Sequence, residues 1–280
     1  MSRILVTGGA GFLGSHVVDE MIQTHEILVL DDLSSGSLAN LDEVQGLKGF
    51  TFIRGSIRSK ADLARALEGV DSVFHYAAQP DVRVSVASPM LDFEINVLGT
   101  LKLLEAMREN EVTRILFASS GGTVYGEEAE MPTPESAALR PISNYGAAKG
   151  AVEMYLSSYS RLYGIDVASM RFGNVIGSRS SHGVIHDFYQ KLKANPKKLV
   201  VLGTGEQDKA YVSVKDATLA ASLLFKRRLS GFLAVNVSSG SRLKVSQIAE
   251  IVIDELGMDR AEIEYTGTER GWRGDITRTD

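Results

Sequence analysis

The chain has 280 residues, 44% of them apolar and 23% charged, with a formal net charge of −5. That length buries a large core, as one big α/β domain or a domain with a smaller appendage, and the acidic balance gives no reason to expect nucleic acid or an anionic membrane as partner. There is no cysteine, which excludes disulfide and thiolate chemistry, and neither a long apolar run nor a signal-peptide layout is present, so a cytoplasmic protein is expected.

The N-terminus opens directly on a strand, "RILVTGG", followed by a helical pattern, "FLGSHVVDEMIQ". Further strands are expected at "EILVLDD", "FTFIRGS", "SVFHYAA", "RILFASS" and "DVASMRF", separated by helical stretches such as "SKADLARALEG", "NVLGTLKLLEAMREN" and "AKGAVEMYLSSYSRLYG". This alternation implies βαβ units and a parallel sheet covered on both faces, a Rossmann-like doubly wound α/β fold over residues 1–175. After about residue 175 the pattern loosens into a polar loop at 178–183, a helix to Asn195, the strand "KLVVLG", the helix "KDATLAASLLFKRR" and the strand "FLAVNVS". Residues 176–280 read as a smaller C-terminal substrate-binding lobe, with some segments returning to pack on the sheet.

Between the first strand and helix lie Gly8, Gly11 and Gly14, with Phe12 and Leu13 inside the same turn. Glycines let backbone amides approach phosphate oxygens, and the helix N-terminus adds partial positive charge. The second strand ends in "VLDDLSSG", residues 29–36. Asp31 there accepts both ribose hydroxyls of an adenosine, Asp32 makes a 2′-phosphate still less welcome, and no arginine follows in the loop, so NAD is preferred to NADP. Leu33, Ser34, Ser35 and Gly36 complete the expected cofactor loop.

Three tyrosine–lysine pairs sit four residues apart: Tyr145–Lys149, Tyr189–Lys193 and Tyr211–Lys215. On a helix that spacing puts both side chains on one face. Tyr211–Lys215 lies in an alternating strand-like stretch and Tyr189–Lys193 on a solvated basic run. Tyr145–Lys149 alone opens the helix after the fifth strand, next to the hydroxyl-rich "ILFASSGGTVYGE". A phenol beside an ammonium is the candidate base.

"TGGAGFLGSHV", "VLDDLSSG", "FHYAAQPDVRVSV", "INVLGTLKLLEA", "FASSGGTVYGE", "NYGAAKGAVE", "RFGNVIG" and "VVLGTGEQ" together resemble the extended short-chain dehydrogenase/reductases, in the NAD-dependent epimerase/dehydratase branch and nearest its UDP-glucose 4-epimerases. The resemblance implies that bound NAD takes a hydride from C4 of a UDP-sugar and returns it on the other face, with Tyr145 as base. Ionisation near pH 7 then needs a shift of ~3 units, roughly 4 kcal/mol, with Lys149 and the nicotinamide as sources. It further implies a bridging hydroxyl from Ser120, with Ser119 and Thr123 as competitors. Cofactor contacts would come from Ser56, Ile57, Tyr76, Ala77, Ala78, Gln79, Asn96, Ser119 and Phe172. Substrate contacts would come from Ser120, Gly121, Asn174, Gly183, Val184, Ile185, Lys209 and Arg270, with Arg273 as a further cation. Relatives usually continue past "GDITRTD" with a further helical segment.

The family's 4,6-dehydratases carry an Asp–Glu pair where this chain has Gly122–Thr123, which favours epimerisation over dehydration or decarboxylation. The other reading is a non-catalytic NAD-binding regulator. No metal site is expected. A homodimer is expected through helices around 94–110 and 146–163, using Leu98, Leu101, Leu104 and Met107 with Val152, Tyr155, Leu156 and Tyr159, unless these residues face the sheet.

Overall fold

In the computed structural model, residues 1–127, 130–268, 271 and 276 are described. Strands β1 (Arg3–Thr7), β2 (Glu26–Asp31), β3 (Phe50–Arg54), β4 (Ser72–His75) and β5 (Arg114–Ser120) are each followed along the chain by helix or turn, and β6 (Asp166–Phe172) by a further strand. With a later strand, β10 (Phe232–Val237), they form a seven-stranded parallel sheet in the order β10-β6-β5-β4-β1-β2-β3. The order runs one way from β1 to β3 and the other way from β4 onward, so a crevice opens beyond the carboxyl ends of β1 and β4.

Both faces of the sheet are covered, which is why its strands are continuous apolar runs rather than alternating ones. Ile4 and Val6 point to one side with Phe74, Met170 and Phe225, packed by α1 (Phe12–Met21). Leu5 points to the other with Phe117, packed by α2 (Lys60–Leu67), α5 (Gly99–Glu109) and α7 (Asn144–Tyr163). Ahead of α5 the chain makes two short helices, α3 (Val82–Ala87) and α4 (Pro89–Asp92), then a π-helical turn over Phe93–Leu98. One further short helix, α6 (Gly121–Val124), caps β5.

Past β6 come β7 (Asn174–Ile176), α8 (Val184–Ala194), β8 (Lys198–Val201) and β9 (Asp208–Ser213). Helix α9 (Val214–Lys226) then returns to the large sheet, where Ala217, Ala221 and Phe225 join its core, and β10 (Phe232–Val237) pairs with β6. Strand β11 (Arg242–Lys244), α10 (Val245–Glu255) and β12 (Glu262–Tyr265) complete the lobe, whose own core is built on Phe188, Leu192, Leu199, Val201, Ile248 and Ala249. No helix among the described residues is long and apolar enough to cross a membrane.

Candidate active site

The β1–α1 turn is as tight as its glycines require. Gly8 adopts φ +70°, and a Cβ there would lie 2.5 Å from Ala77 N; a Cβ on Gly14 would collide with the Gly8 carbonyl. Gly11 precedes helix α1 with no side-chain cap bond, and no acid stands in the first turn, so the helix N-terminus keeps its partial positive charge. Phe12 and Leu13 open the helix, Leu13 packing against the core.

Asp31, at the end of β2, is 8% exposed. Its Oδ2 accepts from Ala10 N at 2.9 Å and its Oδ1 from Leu33 N at 2.8 Å. Burial pushes its carboxyl above the usual range, against the pull of those two amides. Each oxygen keeps a lone pair for a ribose hydroxyl. Leu33 takes φ +61°, and Asp32 is exposed, accepting from Ser34 N. Gly36 lies against Ala10, and Ser37 N and Asn40 Nδ2 both donate to the Ala10 carbonyl. The loop bearing Ser34 and Ser35 is therefore stitched to the glycine turn, a link with no sequence signature. These features fit NAD: a cradle a side chain would fill, an open helix N-terminus, and a buried carboxylate hostile to a 2′-phosphate.

Beyond β4, the Tyr76 hydroxyl is buried without a partner among the described residues, and burial pushes its ionisation up. Ala77 N donates to Thr7 Oγ1, and Ala78 follows half-buried. Gln79 and Asn96 clasp each other: Gln79 N donates to Asn96 Oδ1 at 2.8 Å and Asn96 Nδ2 to Gln79 O at 3.0 Å. Ser56 N donates to Asp62 Oδ2, while Ile57 and Phe172 have their side chains in the core.

Tyr145 is half-buried near the start of α7, one turn before Lys149. Lys149 is 4% exposed; its Nζ donates to Ala118 O at 2.8 Å and lies 5.6 Å from the Tyr145 ring centroid. Burial pushes the ammonium down to about 8, opposed by Asp92 and Glu153. Burial pushes the Tyr145 phenol up, and the Asp92 carboxylate adds to that. Among the protein's own groups, burial and Asp92 thus both favour the protonated phenol. The ammonium is spent on a backbone carbonyl and offset by two carboxylates.

Strand alternation separates Ser119 from Ser120, and Thr123 lies beyond them on α6. Ser119 faces α7 and donates to Glu153 Oε1 at 2.5 Å, inside a buried network in which Arg171 Nη2 reaches Glu153 Oε2 at 2.6 Å. Ser120 caps α6 without a side-chain cap bond, and Gly121 follows. Thr123 Oγ1 is buried without a partner among the described residues, and a Cβ on Gly146, the neighbour of Tyr145, would lie 2.5 Å from the Thr123 carbonyl.

Of the expected substrate contacts, Gly183 precedes α8 at φ +94°, with Val184 and Ile185 in its first turn and Ile185 exposed. Asn174 Nδ2 donates to Ala210 O, tying β7 to β9, and Lys209 is half-buried on β9. Arg270 and Arg273 lie outside the described residues. The other two pairs are as their contexts suggest: Lys193 Nζ sits 5.9 Å from the Tyr189 ring centroid on α8, and Tyr211 and Lys215 fall in different elements. The sequence offered no signal for Asp92, Glu153 or Arg171, whose burial appears only once three elements meet.

The family model of the NAD dependent epimerase/dehydratase family matches residues 4–237. The chain is 38% identical over 277 residues to a putative UDP-glucose 4-epimerase of Methanocaldococcus jannaschii, covering 96% of this chain and 87% of that one. Among solved structures it is similar to a Thermus thermophilus UDP-glucose 4-epimerase in complex with NAD, at 37% identity and TM-score 0.87, over 99% of this chain and 89% of that one. It is also similar to a Streptomyces venezuelae dTDP-glucose 4,6-dehydratase with NAD bound, at 31% identity and TM-score 0.91, over 99% and 87%. The cofactor is NAD. The chain belongs to the NAD dependent epimerase/dehydratase family.

Proposed function

We propose that this protein is a nucleotide-sugar 4-epimerase of the UDP-glucose/UDP-galactose type, with Tyr145 as the group that removes and returns the sugar O4 proton. The observation that carries the reading is the placement of Tyr145 and Lys149 on one face of α7, with Lys149 fixed to the end of β5. Bound NAD supplies the acceptor for the C4 hydride and, when oxidised, the positive charge that favours a phenolate. Lys149 then keeps the phenolate's charge compensated, and Ser120 bridges O4 and the phenol. The amides at the N-terminus of α8 and the cation of Lys209, with Arg270, are assigned to the UDP moiety, and Asn174 to the edge of the same pocket.

The short helix after β5 reads Gly-Gly-Thr-Val and holds no acid to remove a C5 proton, which favours epimerisation over dehydration. Incubating the purified protein with UDP-glucose, UDP-N-acetylglucosamine and UDP-glucuronate and resolving the products tests this. A C4 epimer is expected; release of a keto or decarboxylated sugar overturns it. We also infer a homodimer through α7 and the segment from α4 to α5.

A further inference from the structure

Asp92 ends α4, immediately before the π-helical turn, and is 1% exposed. Its Oδ1 accepts from Gln79 Nε2 at 3.0 Å and from Asn96 Nδ2 at 2.9 Å. Both donors are neutral amides, and among the described residues no cation pairs with it. A carboxylate buried in this way is costly unless a nearby charge needs it.

Two features of the site need it. Asn96 donates Nδ2–H to both Gln79 O and Asp92 Oδ1 while its Oδ1 accepts from Gln79 N. A flipped amide would turn its oxygen toward two acceptors, so Asp92 fixes which way Asn96 points. The intervening π-helical turn is a geometry concentrated at functional sites, and Thr100 Oγ1 anchors it by donating to Asn96 O at 2.7 Å. The second feature is Lys149, because α4 and the π turn pack against α7. The groups facing Lys149 are Tyr145 and Glu153 from its own helix, Asp92 from α4, and His75 from β4, with Arg171 of β6 behind Glu153. Burial keeps His75 neutral down to about 3, and Glu153 is paired with Arg171. Asp92 is the carboxylate left over.

We propose that Asp92 is a positioning residue of this site: its carboxylate locks the Gln79–Asn96 amide pair in one orientation and is the buried counter-charge that keeps the Lys149 ammonium beside Tyr145. The proposal rests on the reading of Tyr145 and Lys149 as the proton-transfer pair. Asp92 raises the ionisation of both groups, so removing its charge lowers both: the phenol loses its proton more readily, and the ammonium is lost further below about 8.

The test is a tyrosinate absorbance titration of the NAD-loaded protein, wild type against Asp92→Asn, each corrected by its Tyr145→Phe counterpart. The Tyr145 transition is expected to move down by roughly one pH unit, the size of one partly screened buried charge. Both limbs of the pH–rate profile are expected to move down with it, which a simple loss of packing would not produce. Superimposed titrations overturn the proposal. An independent arm uses wild type alone: the Asp92 carboxyl-carbon resonance is expected to inflect at the Lys149 ionisation near pH 8, and a flat resonance there overturns the proposal even where the variant does not fold. A shifted titration without epimerase turnover refutes the reaction and leaves Asp92 in its role. Turnover with superimposed titrations does the reverse.

Discussion

At Tyr145 and Lys149 the same burial that serves chemistry works against folding. Lys149 is a base whose ionisation is pushed from 10.5 to about 8. Between those values the unfolded chain binds the proton that the folded chain has released, so stability rises with pH across that window, and below it the buried ammonium is a net cost. Lys149→Met is therefore expected to abolish the rise of the thermal midpoint with pH across that window while turnover falls; a variant whose midpoint still rises as the wild type's does in calorimetry contradicts this. Tyr145→Phe is expected to keep NAD and lose about 100- to 10,000-fold in kcat, the range of one proton-transfer group. Between the two remaining hydroxyls, the assignment of Ser120 requires Ser120→Ala to lower kcat at least tenfold and Thr123→Val to leave it nearly intact. The opposite pattern would hand the role to the buried, unpartnered hydroxyl of Thr123.

The βα alternation was legible because the inner strands are buried on two faces and the helices around them on one, so composition and period report the fold directly. The glycine turn and Asp31 were legible for a similar reason: their chemistry is local, and a tight turn followed by an acid leaves its trace in one short string. What joins distant elements was not. Ser119, Glu153 and Arg171 come from β5, α7 and β6, and no spacing in the sequence links them. Arg171 also reaches Tyr125 at 2.7 Å and the Glu135 carbonyl at 2.9 Å, so the network fastens the α7 helix to the end of β6 through Arg171 and to the end of β5 through Ser119. Breaking one side of it leaves an uncompensated buried charge. Glu153→Gln is expected to cost ~3–5 kcal/mol in urea unfolding, and a loss below about 1 kcal/mol would show that the network is not what holds α7 in register.

Over the whole molecule, α7 and the segment from α4 to α5 each carry more apolar surface than one core can use. The stripes read from the sequence divide in two. Leu104, Met107, Val152 and Leu156 are fully buried against the sheet and Leu101 and Tyr159 pack beside them, so these six belong to the core, whereas Leu98 and Tyr155 stay exposed. Periodicity marked the helices as apolar without saying which side met the sheet, because both sides are. The side left outward also holds Met90, Leu91, Phe93 at 49% exposure, Met154 at 57%, Leu162 and Tyr163. On a chain of net charge −5, exposed apolar side chains on helices that pack against one another suit a second copy of the chain better than water, and a two-fold pairing would bury the same residues from both sides. Sedimentation is expected to give a dimer for the wild type at micromolar concentration. Phe93→Glu with Met154→Glu, which puts like charges across the axis without touching the core or the crevice, is expected to give a folded monomer. A wild type that sediments as a monomer, or a double variant that stays dimeric, refutes this interface.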